Sequence, residues 1–138
     1  MIAIVDASVA AKWLFLEEGS RQAENLLEEI SFFLVPSLFV IEIDAVISKK
    51  VRQRKVSIDE ALQKNEQRKK LPYKVVRYTD VSPLALEISI SLPITLYDAT
   101  YIATAIENDG IVYTADQKLA NGVSNTSLSE YVQSIWNL

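Results

Sequence analysis

Short apolar segments alternate with longer helical segments along this 138-residue chain, and this alternation limits the folds that the chain can adopt. The apolar segments have the length of buried strands, whereas the longer ones start at cap-forming residues and stop at glycine or proline. The predicted strands are Ile2–Val5, Phe32–Val35, Lys74–Tyr78 and Ile111–Thr114, with Val123–Thr126 as a candidate for a short fifth strand. Strands joined by helices form a parallel sheet through right-handed crossovers. We therefore expect a three-layer α/β/α sandwich around a mainly parallel sheet of four to five strands.

Side chains that accept hydrogen bonds from free backbone N–H groups predict where several helices start. Helices are expected after Ser37, at the capping boxes Ser57–Glu60 and Ser127–Glu130, at Thr95, and at Ser82 followed by Pro83. Proline suits the first position of a helix because the N–H that it lacks has no partner there. The Ser127–Glu130 spacing predicts a C-terminal helix.

Length and composition favour one well-packed domain over residues 1–138, because 49% of the residues are apolar. The chain has no cysteine, which excludes a disulfide framework and thiolate zinc sites. No signal segment and no apolar run of about 20 residues is present in the sequence. We expect a cytoplasmic protein that does not enter a membrane.

The net charge of −4 is distributed unevenly along the chain. The segment from Lys49 to Arg77 contains eleven Lys or Arg and three Asp or Glu, whereas the remainder is strongly acidic. A basic segment in an acidic protein suits a polyanionic partner, but it is equally typical of solvated helix faces.

Four carboxylates lie where the predicted strands end or the predicted helices begin. Asp6 and Asp116 follow strands, Asp98 lies in the first turn of a helix, and Glu42 lies one turn into another. Ligands bind such sheets in the crevice outside the carboxyl ends of the strands. All four acids are therefore able to converge on one crevice.

Each acid also has a structural explanation. Asp6, Asp98 and Asp116 suit helix caps or first turns, where the helix dipole favours negative charge. Glu42 is harder to explain in this way, because its helical neighbours Leu38, Ala45 and Val46 are apolar. Asp44 points to a different side of this helix and is expected to be exposed.

A cluster of these acids has the chemistry of a metal site. Buried charges are costly unless they are paired or bind a metal, and without histidine or cysteine the ligands must be oxygen. Oxygen ligands favour Mg²⁺ or Mn²⁺, which activates water for hydrolysis. The hydroxyls of Ser8 and Thr114 suit three different roles. They are able to orient a carboxylate, to contact a phosphate, or to form the hydrogen bonds of a turn.

Four segments around the acids carry a resemblance to a known family. They are Val5-Asp6-Ala7-Ser8, Pro36-Ser37-Leu38 leading to Glu42, Tyr97-Asp98-Ala99-x-Tyr101-x-Ala103, and Thr114-Ala115-Asp116. In this order and spacing they resemble the PIN domain, and more narrowly the VapC-type ribonuclease toxins of toxin–antitoxin pairs. The family often has asparagine three residues after the helix glutamate, and here that residue is Ala45.

The resemblance implies a function for the four acids. It implies that Asp6, Glu42, Asp98 and Asp116 bind Mg²⁺ or Mn²⁺ and are the catalytic residues of an endoribonuclease. It also implies a cognate antitoxin protein as a partner and a homodimer.

An acidic site repels RNA, so we expect cations nearby to hold the substrate. Lys49, Arg52 and Arg54 are the candidates for contact with nucleic acid, because they follow Glu42 along the same predicted helix.

Two other classes of protein remain open at this point. One is a PIN-like scaffold that binds RNA or a partner without cleavage. The other is a phosphorelay receiver domain, which has a similar size, a parallel sheet and an acidic Mg²⁺ pocket. A receiver has adjacent acids after its first strand and a lysine after a late strand. Here Asp6 is followed by Ala7, and Lys118 is a poor match.

Overall fold

A computed structural model describes residues 1–138 and contains one five-stranded sheet. The strands are β1 (Ile2–Val5), β2 (Phe33–Pro36), β3 (Tyr73–Val76), β4 (Gly110–Thr114) and β5 (Val132–Ser134). All four neighbouring pairs are parallel, and the strand order is β3-β2-β1-β4-β5. The predicted α/β architecture is confirmed, with every strand parallel to its neighbours.

Seven α-helices connect or follow the strands. They are α1 (Ala7–Leu14), α2 (Ser20–Glu29), α3 (Leu38–Arg52), α4 (Ile58–Lys69), α5 (Tyr78–Ser91), α6 (Leu96–Glu107) and α7 (Gln117–Val123). Two 3₁₀ helices, Ser127–Tyr131 and Ile135–Asn137, flank β5. No helix combines the length and apolar character needed to span a lipid bilayer.

The middle of the sheet is covered on both faces. Ala3 to Val5 in β1 and all four residues of β2 are buried. Continuous burial of this kind is typical of a parallel strand between two helical layers, and it explains the uninterrupted apolar sequence. Phe33 lies at the centre of an aromatic cluster whose ring centroids are 5.3–6.4 Å from its own.

The strand order creates a crevice between β1 and β4. The chain leaves β1 towards β2 and leaves β4 in the opposite direction, towards β5. The carboxyl ends of β1 and β4 therefore form the topological switch point of the sheet, where ligands bind in folds of this type. A receiver domain has the strand order 2-1-3-4-5, so the observed order rejects that alternative.

The prediction for the C-terminal region was wrong. Val123 ends α7 instead of starting a strand, and the fifth strand is Val132–Ser134. Thr126, whose hydroxyl accepts a hydrogen bond from the N–H of Leu128 at 3.2 Å, caps a 3₁₀ turn in place of the predicted capping-box helix. β5 has one strongly apolar residue, so its backbone pairing with β4 leaves little trace in the sequence.

The predicted start of the helix before Pro93 was also wrong. α5 begins at Tyr78, so Pro83 lies inside it and not at its first position. Tyr78 can start the helix because its N–H donates to the hydroxyl of Ser37 at 3.3 Å. The same contact explains why Ser37 precedes α3 without capping it through its side chain.

Candidate functional site

Asp6 is the buried centre of the site. It follows β1 directly, caps α1, and is only 7% exposed. Its carboxylate accepts hydrogen bonds from the N–H groups of Ser8 and Val9 at 3.0 and 3.3 Å. The hydroxyls of Ser8 and Thr114 also donate to it. The carboxylate is thus held by donors from both α1 and β4.

The same two hydroxyls position the segment that carries Asp116. Thr114 accepts a hydrogen bond from the N–H of Asp116 at 3.0 Å, and Ser8 accepts one from the N–H of Ala115 at 2.9 Å. The exposed side chain of Asp116 caps α7 by accepting the N–H of Lys118 at 2.9 Å. Asp6 and Asp116 are therefore joined through Thr114, across the switch point.

Glu42 and Asp98 approach from the two helices α3 and α6. The half-buried Glu42 accepts a hydrogen bond at 2.6 Å from the hydroxyl of Tyr101. Asp98 lies in the first turn of α6, where its N–H donates to the hydroxyl of Thr95 at 3.1 Å. Asp44, which is exposed and accepts a hydrogen bond from Asn65, lies outside the site as predicted.

Tyr101 is the site residue to which sequence analysis assigned no role. It is 2% exposed and lies three residues after Asp98, almost one helical turn along α6. Its hydroxyl connects α6 to Glu42 on α3. Burial and the nearby Glu42 raise the pKa of Tyr101, so the hydroxyl keeps its proton and remains a donor. Its place in the segment Tyr97-Asp98-Ala99-x-Tyr101, almost one helical turn after Asp98, was the available signal for this contact.

The acids interact electrostatically along the edge of the sheet. Burial raises the pKa of Asp6 to about 6, against the opposing effect of its hydrogen bonds. Burial also raises the pKa of Glu42 to about 6, with further contributions from Asp6 and Asp98. The pKa of Asp98 is raised by burial and by Asp116, while Lys118 lowers it. Ionisation of one acid therefore opposes ionisation of the next.

The donor set suits a hard divalent cation, because every candidate ligand is a carboxylate or hydroxyl oxygen. In the observed side-chain conformations, no three acids are arranged closely enough to form a metal site. The raised pKa values nevertheless express a penalty on the charged carboxylates, mainly from burial and, for Glu42 and Asp98, also from neighbouring acids, and a bound cation relieves both. The residues fit Mg²⁺ or Mn²⁺ in their chemistry, and binding requires the side chains to move together.

The three predicted RNA-contacting cations lie away from the acids. Lys49, Arg52 and Arg54 are exposed and take part in none of the four ion pairs of the structure. By helix rise, Lys49 lies about 10 Å along α3 from Glu42. The neighbouring Lys50 instead packs at 4.8 Å from the ring of Phe15, near the end of α1.

Comparison with known proteins identifies the family. The family model of the PIN domain matches residues 3–122, so this chain belongs to the PIN domain family. The chain is also 30% identical over 119 residues to ribonuclease VapC3 of Pyrobaculum aerophilum. That match covers 85% of this chain and 91% of the relative.

Solved structures share the fold at low sequence identity. One is the VapC20 toxin of Mycobacterium tuberculosis, described as cleaving the sarcin–ricin loop, with a TM-score of 0.67 and 16% identity. The structural match covers 93% of the VapC20 chain and 86% of this chain. A toxin–antitoxin complex from Klebsiella pneumoniae has a TM-score of 0.66 and 16% identity, with coverage of 96% of this chain and 97% of that one.

The raised pKa of Asp6 predicts that metal-free protein becomes more stable as the pH falls from 8 to 5. A folded-state pKa of about 6, against an ordinary value of 3.8, means that the folded protein binds the proton more tightly. At about 1.4 kcal/mol per pKa unit, Asp6 contributes about 1.4 kcal/mol between these limits, because only the part of its titration between pH 6 and pH 5 falls inside them. Urea denaturation in EDTA at both pH values measures this gain in the free energy of unfolding, with Asp6→Asn as the control. A wild type that gains no more than Asp6→Asn on acidification contradicts the assignment.

Proposed function

We propose that this protein is an endoribonuclease that depends on Mg²⁺ or Mn²⁺ and is the toxin of a type II toxin–antitoxin pair. One observation carries the proposal: Asp6 and Asp116 are joined through Thr114 at the switch point of a PIN-family sheet, and Glu42 and Asp98 are coupled electrostatically to them. We take residues 1–138 to form a single nuclease domain.

The comparisons support the reaction and the biological setting. VapC3 is named a ribonuclease, and the solved VapC20 structure is described as a toxin that cleaves an RNA loop. The Klebsiella structure is a complex of a toxin with its antitoxin. By likeness, the substrate here is RNA and a cognate antitoxin is the partner.

We assign the metal to Asp6, Glu42, Asp98 and Asp116. A divalent cation held there would supply Lewis-acid activation of water and neutralise charge on the phosphodiester during hydrolysis. Other residues of the protein orient the proposed metal ligands. Ser8 and Thr114 orient Asp6 through their hydroxyls, and Tyr101 orients Glu42.

Protein partners need apolar surface, and the helices provide it. Ile41 on α3 is 73% exposed, and Leu86 and Ile90 on α5 are 51% and 76% exposed. Exposed apolar residues of this kind are typical of surfaces that bind other proteins. They support, without distinguishing between them, a homodimer contact and an antitoxin contact.

Asp98→Asn separates a metal-binding nuclease from a non-cleaving scaffold. In EDTA the substitution removes repulsion with Asp116, so the melting temperature rises by an amount on the order of 3 °C. Added Mg²⁺ or Mn²⁺ stabilises the wild type by mass action and the variant much less. Cleavage of total RNA by the wild type requires the metal and is lost in the variant.

The opposite results identify the alternatives. A lower melting temperature for Asp98→Asn in EDTA means that Asp98 acts only as a first-turn acid. Metal stabilisation without any cleavage of RNA leaves a PIN-like scaffold that binds RNA or a partner.

We also propose that Lys49, Arg52 and Arg54 hold RNA that extends beyond the acids along α3. Helix rise separates them from Glu42 by about 10 Å or more, which supports contact with neighbouring nucleotides and not with the cleaved phosphate itself. Contacts of this type contribute affinity without sequence preference and weaken with salt.

Replacing Lys49, Arg52 and Arg54 together by alanine tests this role. Each lost phosphate contact lowers the salt dependence of binding by about 0.7 in the log–log slope, so three contacts lower it by about 2. The matched control replaces three other basic residues: Lys69, Lys70 and Lys74. Fluorescence anisotropy with a short unstructured RNA measures both variants at several salt concentrations. If the salt dependence of RNA binding changes equally in the two variants, the three residues act only through the net charge of the protein.

A further inference from the structure

An uncharged cavity of about 260 Å³ opens at the carboxyl ends of β2 and β3. The first residues of three helices line it: Leu38 of α3, Tyr78 of α5 and Leu96 of α6. Tyr97 and Thr100 complete the lining. The hydrogen bond from the N–H of Tyr78 to Ser37 fixes two of these helix starts relative to each other.

The cavity lies beside Asp98 along α6. Tyr97 directly precedes Asp98, and Thr100 follows it by two residues on α6. In the strand order β3-β2-β1-β4-β5, the pair β3 and β2 lies directly beside the pair β1 and β4. Two strand spacings, about 10 Å, therefore separate the centre of the cavity from the acids. If a phosphate of a single-stranded RNA lies at the acids, the base of an adjacent nucleotide is able to enter the cavity.

The lining offers ring faces and aliphatic walls instead of hydrogen-bonding groups. None of its five residues is charged. The hydroxyl of Thr100 is already used, because it donates to the backbone carbonyl of Leu96 at 2.7 Å. Tyr97 is 65% exposed, so its ring is available for contact beside the catalytic acids.

We propose that this cavity binds one unpaired base of the RNA, stacked on Tyr97, next to the phosphate that is cleaved. The inference rests on the proposed ribonuclease function and adds a base subsite to it. Proteins hold single-stranded RNA by splaying bases onto aromatic side chains. Stacking does not depend on charge, so it holds the substrate where four carboxylates repel its phosphates. Because almost all of the surface that faces the cavity is apolar, the subsite accepts any base, with stacking strength as its only preference.

Binding measurements in a non-cleaving background test the subsite independently of catalysis. The protein carries Asp6→Asn, and the probe is a short unstructured RNA together with a series in which one base at a time is removed to leave an abasic nucleotide. Tyr97→Ala weakens binding of the intact RNA about 10-fold, as expected for one stacked base. Tyr97→Phe keeps the ring and stays within about twofold of the parent.

The abasic series locates the effect. At one position of the RNA, removal of the base weakens binding to the parent protein about 10-fold and leaves binding to Tyr97→Ala nearly unchanged. If Tyr97→Ala loses affinity equally for the intact RNA and for every abasic RNA, the subsite is rejected. If Tyr97→Ala instead converts a dimer to a monomer in sedimentation, the cavity belongs to an interface with a second copy, and the proposal is also overturned. Failure of wild-type protein to cleave RNA would count against the ribonuclease function alone.

Discussion

The burial of a carboxylate at the end of the first strand is the constraint on which the site depends. Asp6 is 7% exposed and so must find hydrogen-bond donors within the protein. It finds them in α1, through two backbone N–H groups and the hydroxyl of Ser8, and in β4, through Thr114. These contacts join the two strands at the switch point and hold Asp116 beside them. The donors only partly offset desolvation, because the pKa of Asp6 remains raised to about 6.

Glu42 and Asp98 lie on helices that pack on the sheet, and each is coupled electrostatically to a neighbouring acid. Tyr101 links α6 to α3 through its hydrogen bond with Glu42, so the positions of Glu42 and Asp98 depend on the same helix. The raised pKa values of three acids show that the fold holds carboxylates where burial, and for Glu42 and Asp98 also repulsion by other acids, opposes their negative charge. A fold arranged in this way loses stability at neutral pH and regains it when a cation binds, which links metal binding to the proposed catalysis.

Sequence patterns predicted those parts of the fold that depend on local or continuous apolar signals. β1 and β4 were found because buried parallel strands are apolar throughout, and the capping box of Ser57 and Glu60 formed as expected. β5 was missed because an edge strand is held by backbone pairing, which requires little of its side chains. The start of α5 at Tyr78 was missed because it depends on Ser37, a residue 41 positions away in sequence.

The same distinction applies to the site. The acids could be predicted, because each one stands at a strand end or in the first two turns of a helix, next to apolar residues. The contact of Tyr101 with Glu42 spans 59 residues, and the cavity at Tyr97 is formed by three helix starts that are distant in sequence. Contacts of this kind exist only after the helices have packed.

The proposed site holds one cation that the four acids share. Anomalous diffraction from crystals grown with Mn²⁺ tests this claim most directly, because it locates the metal without reference to activity. We expect a Mn²⁺ peak between β1 and α6, roughly 2.0–2.6 Å from carboxylate oxygens of both Asp6 and Asp98. Full-occupancy Mn²⁺ elsewhere, or no peak at the switch point at millimolar Mn²⁺, would contradict it.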